Sequence, residues 1–157
     1  MTEVKRTLTM TRLLTLTGAG GSGKTRLALE VARDLIGAYP DGVWMVELAP
    51  LSEESLVVQA VAQALGVPER PGRPLTDVLV DALRRREMLL VIDNCEHLVE
   101  AAARLVDTLL DACPRLRILA TSREPLSTAG ELNWLVLPLS VPSTQRASST
   151  ALLAGGA

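Results

Sequence analysis

Eight residues near the start of the chain, GAGGSGKT at positions 18–25, leave it few ways to fold. They match G-x-x-x-x-G-K-[ST] at every fixed position. The preceding RLLTLTG (12–18) reads as a strand, a short apolar and β-branched run stopped by glycine. The following TRLALEVARDLI (25–36) reads as a helix, with Leu27, Val31 and Ile36 on one face and Arg26, Glu30, Arg33 and Asp34 elsewhere. A strand, a glycine-rich turn and a helix in that order make a phosphate cradle. Glycines let the backbone form a nest of inward-pointing N–H groups with no Cβ in the way. The helix turns its positive N-terminal end to the same anion. Lys24 is then expected to reach the β- and γ-phosphates, and the Thr25 hydroxyl to ligate Mg²⁺. The candidate nucleotide-binding residues are therefore Gly18, Ala19, Gly20, Gly21, Ser22, Gly23, Lys24 and Thr25, with Arg26 beside them.

Downstream, strands and helices alternate. VWMVELAP (43–50), MLLVID (88–93), RLRILATS (115–122) and LNWLVLPL (132–139) read as strands. SEESLVVQAVAQALG (52–66), with a serine cap and acids in its first turn, reads as a helix, and so does LTDVLVDALRRR (75–86). A further helix after position 93 is expected to bury Leu98, Ala102, Leu105, Val106, Leu109 and Leu110. Apolar strands joined by helices of this length mean parallel βαβ units in a sheet covered on both faces. Trp44 and Trp134 are expected in the core. Residues 1–11 read as a lead-in, residues 12–140 as one phosphate-binding domain, and 141–157, small and polar, as a disordered tail.

The strand LLVI ends on an acid, Asp93. In an open α/β sheet, ligands sit outside the carboxyl ends of the strands, so Asp93 arrives beside the phosphate loop. It is placed to hold Mg²⁺ through water; the competing reading is a cap for the helix beginning near Glu96. Glu96 either polarises a water or is an ordinary first-turn acid. His97, the only histidine, reads as a surface or packing residue with a sensing role as the alternative, and Asn94 and Cys95 read as packing. In TSRE (121–124) a hydroxyl and Arg123 are placed to read a γ-phosphate; the alternative is a surface turn before Pro125.

Composition narrows the rest. A net charge of −2 gives no basic excess for nucleic acid. Two cysteines eighteen apart, without a CxxC pair, fit a reducing compartment and argue against zinc. No apolar run approaches the ~18 residues of a membrane span, and no signal peptide is visible. The expectation is a cytoplasmic protein.

TLTGAGGSGKTRLALEVA, VWMVELAPL, LLVIDNCEHL and RILATSREPL, in that order and spacing, resemble a STAND-class nucleotide-binding domain. The likeness is to the NB-ARC-like ATPase core of large bacterial transcriptional activators of the LuxR and antibiotic-regulator kind, and runs from Leu8 to Val141. It implies a three-layer α/β/α P-loop NTPase fold with five parallel strands in the order 5-1-4-3-2. It also implies ATP or ADP with Mg²⁺ as ligands, residues 18–25 as Walker A, Asp93 as the Walker B acid and Arg123 as sensor. Such proteins resemble switches: ADP holds a closed state, exchange for ATP permits assembly, and slow hydrolysis resets them. Members carry a Gly-Arg-Glu motif upstream and a helical lid and winged helix after the fifth strand, and nothing here matches these. The expectation is thus the core of a larger regulator, partnered by its other domains or subunits. The alternatives are a small-molecule kinase using the same loop and an inactive truncated remnant.

Overall fold

A five-stranded sheet carries the fold, and every pairing in it is parallel. Strand β1 (Leu13–Thr17) lies between β4 (Leu116–Ser122) and β5 (Glu131–Leu135), β4 pairs with β3 (Met88–Asp93), and β3 with β2 (Val43–Glu47). The order β2-β3-β4-β1-β5 is the one the resemblance implied, read from the other edge. The computed structural model describes residues 2–138; the segment 141–157, expected as a tail, lies outside the described residues.

Helices cover both faces because parallel neighbours need long crossovers. Helices α1 (Thr2–Met10) and α2 (Lys24–Asp34) cover one face, packing Val4, Leu8, Ala28 and Val31 on Leu14, Leu16, Leu89, Val91 and Leu119. Helices α3 (Leu56–Ala64), α4 (Leu75–Leu83) and α5 (Val99–Ala112) cover the other, over Leu90, Ile92, Ile118 and Ala120. The alternate residues of β1, β2, β3 and β4 thus feed two separate cores. Among the described residues no helix is long and apolar enough to cross a membrane.

Several local expectations are corrected. Residues 1–11, read as a lead-in, contain α1, whose Val4 and Leu8 stand one turn apart and are fully buried. The helix expected to run to Ile36 ends at Asp34, with Gly37 close behind; Ile36 is 60% exposed in a 3₁₀ turn. Helix α3 starts at Leu56 rather than at a Ser52 cap. Trp44 is not in the core: β2 is an edge strand, and the indole is 36% exposed while donating to the Asp41 carbonyl. Trp134, on the other edge strand, is half-buried against the α1–α2 face.

Register sets the site. Ile92 stands beside Ala120, and Thr17 beside Ser122, so β3, β4 and β1 end level with one another. The chain therefore delivers Asp93, Thr121 and Gly18 to one edge.

Candidate functional site

The loop between β1 and α2 has the backbone its glycines anticipate. Gly23, at the N-cap of α2, has φ 93°, a left-handed conformation that a residue with a Cβ reaches only under strain. Gly18 is required for a different reason. The Val136 N–H donates to the Thr17 carbonyl at 2.7 Å, and a Cβ on Gly18 would stand 2.5 Å from the Val136 carbonyl oxygen. The buried Lys24 ammonium donates to the carbonyls of Gly18 (2.8 Å) and Ala19 (3.1 Å), folded back over the loop. Buried Ser22 leaves its Oγ without a partner.

Asp93 is 2% exposed and fully engaged. Its carboxylate accepts from the Thr25 hydroxyl at 2.9 and 3.0 Å, from the Thr121 hydroxyl at 2.5 Å and from the Asn94 amide at 3.1 Å. A buried carboxylate needs such donors. The cap reading fails: α5 begins only at Val99, and no side chain caps it. Asp93 instead ties the phosphate loop to β3 and β4.

Glu96 is also not a first-turn acid, since the acid in the first turn of α5 is Glu100. It lines an open cleft of about 640 Å³ shared with residues 20–26, Leu29, Glu30, Arg33 and Asn94. Its Oε1 is buried with no hydrogen-bond partner. Arg123 comes to the same loop: its Nη2 would stand 3.0 Å from a Cβ on Gly20. The residues picked from sequence on three separate segments thus converge. His97 is exposed, with Nε2 2.9 Å from the Leu51 carbonyl oxygen.

Two roles were missed. Asn94, read as packing, adopts φ 63°, lines the cleft and donates to Asp93; asparagine tolerates the left-handed region better than most, the one signal available in sequence. Thr121 both donates to Asp93 and accepts from the Asn94 N–H at 2.8 Å, a pairing that only the β3–β4 register reveals. Cys95 is indeed packing. It is fully buried, and burial first, then the nearby Glu96, Asp93 and Glu131 charges, push its thiol up to about 12, so it is not a nucleophile at neutral pH.

Comparison with known proteins agrees with the fold. The family model described as AAA domain matches residues 8–127. A provisionally named HTH-type transcriptional regulator of Mycobacterium tuberculosis is 49% identical over 134 residues, 85% of this chain but 15% of that protein. The regulatory protein AfsR of Streptomyces coelicolor is 34% identical over 116 residues, 59% of this chain and 12% of AfsR. The chain therefore spans less than a sixth of the length of these two relatives. A Pyrococcus horikoshii STAND protein with a tetratricopeptide repeat sensor shares the fold, with TM-score 0.51 and 14% identity over 84% of this chain and 22% of that one.

Proposed function

The chain belongs to the AAA domain family, and from that premise we propose that it is the Mg²⁺–ATP/ADP-binding core of a regulatory switch with slow ATP hydrolysis. The observation that carries the reading is the Thr25–Asp93–Thr121 contact, which joins the cleft-lining Thr25 to the ends of β3 and β4, with Lys24, Arg123 and Glu96 around the same loop. The residues present fit the ligands. The loop offers backbone N–H groups, a lysine and the unpartnered Ser22 Oγ to phosphate oxygens. Among the described residues no group of three or more His, Cys, Asp or Glu could cage a metal. That suits Mg²⁺, which keeps several waters and takes one or two protein ligands beside the phosphates. Thr25 and Asp93 are those ligands in this reading.

Bound magnesium withdraws charge from the phosphate oxygens. The protein's own part is to hold and to aim. Lys24 leaves its carbonyls for the phosphates, Arg123 neutralises the terminal phosphate, and Glu96 takes a hydrogen bond from the attacking water. Both named relatives are regulators, and this chain spans a small part of each. That kinship supports a role in transcriptional regulation, in the cytoplasm and joined to further domains.

Calorimetric titration with ADP and ATP, each with and without Mg²⁺, tests the reading. Saturable binding tightened by Mg²⁺, and weakened at least ~100-fold by Lys24→Ala through loss of a charge-assisted phosphate contact, is expected. Equal affinity of wild type and Lys24→Ala would sink it.

A further inference from the structure

The loop after β3 sends neighbouring side chains to different places. Cys95 and Leu98 go down into the core, Glu96 lines the cleft, and His97 reaches the connection between β2 and α3. The start of the loop is fastened to β4: the Asn94 N–H donates to the Thr121 hydroxyl at 2.8 Å, and the Cys95 N–H to the Thr121 carbonyl at 2.9 Å. Beyond Asp93, whose carbonyl accepts from the Leu48 N–H, the side of the loop facing β2 is held, among the described residues, by His97. Its Nε2 to Leu51 carbonyl contact, 2.9 Å, is the only hydrogen bond among the described residues between positions 94–98 and the β2–α3 connection.

The acceptor is itself well fixed. Fully buried Leu48 donates its N–H to the Asp93 carbonyl at 2.9 Å, the Leu51 N–H donates to the Leu48 carbonyl at 3.0 Å, and the Leu51 side chain packs on the α3–α5 core. A carbonyl only accepts, so Nε2 carries the proton in this contact. A fixed acceptor and a short loop make the bond a strut.

We propose that His97 is a positioning residue for Glu96: its bond to the Leu51 carbonyl braces the loop so that the Glu96 carboxylate stays aimed into the nucleotide cleft. The proposal rests on the reading of Glu96 as the group that orients water. Glu96 has no hydrogen bond at Oε1 to hold its own direction, so its aim depends on the loop beneath it. A catalytic carboxylate must lie within hydrogen-bond reach of the proton it takes, and a shift of about 1 Å costs on the order of 100-fold in rate. His97 is exposed, so water partly replaces the lost bond and the expected loss is smaller.

The test uses the full chain with His97→Leu, His97→Gln, Glu96→Gln and the His97→Leu/Glu96→Gln double variant. Three quantities are read: amide hydrogen exchange of residues 94–98 without nucleotide, Mg²⁺–ATP affinity, and single-turnover hydrolysis. His97→Leu should speed exchange about 5-fold, the loss of one modest hydrogen bond. It should leave affinity within about 2-fold and slow hydrolysis about 10-fold, a fraction of the cost of full misplacement. His97→Gln, which keeps an N–H donor, should recover most of both. The double variant should be no slower than Glu96→Gln alone, since the two changes act through one group.

Unchanged exchange and turnover in His97→Leu, with Glu96→Gln slow, would overturn the role of His97 and leave that of Glu96 standing. Undiminished turnover in Glu96→Gln, or a wild type that binds ATP without hydrolysing it, would overturn the reading of Glu96 and this proposal with it. A His97→Leu protein that melts lower and loses affinity in step with activity would make His97 an ordinary structural residue, which also overturns the proposal.

Discussion

Asp93 and Glu96 stand three positions apart on one stretch of chain, yet the fold handles them in opposite ways. Asp93 ends its strand with donors on both oxygens, from Thr25, Thr121 and Asn94. Glu96 presents a buried oxygen bonded to nothing. The first arrangement stabilises the protein; the second gives up stability and leaves hydrogen-bonding capacity unused in a residue that lines the cleft. On the proposed reading, the group that must be in place beforehand is held by the protein, and the group that acts on a ligand is left free for it.

Stability separates the two acids most widely. Asp93→Ala orphans three donors and should destabilise by about 3 kcal/mol, whereas Glu96→Ala should fall within about 0.5 kcal/mol of wild type or above it. Urea denaturation measures both, and equal losses would erase the distinction. Hydrolysis should invert the ranking of importance: Glu96→Gln is expected to cost about 100-fold, about 2.7 kcal/mol, the lower end for general acid–base groups. Its nucleotide affinity should stay near that of wild type. Asp93→Asn should reduce the gain in ADP affinity on adding Mg²⁺ about 10-fold, from the loss of a metal-directed charge. Its binding without Mg²⁺ should hold, and calorimetry with and without the metal reads the ratio. Thr121→Val, which removes one hydroxyl between Asp93 and the Asn94 N–H, should cost about 1 kcal/mol. A neutral Thr121→Val would mean that β4 does not help to hold Asp93.

The sequence made the strand–loop–helix around residues 18–25 and the acid ending β3 readable because each is local: spacing alone brings the groups together. Parallel βαβ order was readable for the same reason, from alternation of short apolar runs with amphipathic ones. What escaped depends on neighbours far along the chain. Helix α1 has only Val4 and Leu8 turned inward among TEVKRTLTM, too thin a stripe to separate from a polar lead-in. Trp44 reads as core until β2 is known to be an edge. Thr121 meets Asp93 across the β3–β4 pairing, and Glu96 could not be told from a helix-start acid until α5 was found to begin at Val99.

The closure of β5 on the phosphate loop has a mechanical side. Val136 is bonded to the residue just before Gly18, and its carbonyl fills the space where a Gly18 side chain would be. Sliding β5 along its axis therefore displaces the first residue of the loop directly, without a flexible segment between to absorb the movement. Displacement of β5 would be felt at the glycine-rich loop, and rearrangement of that loop would be felt along the same strand, as at two ends of a short stiff rod.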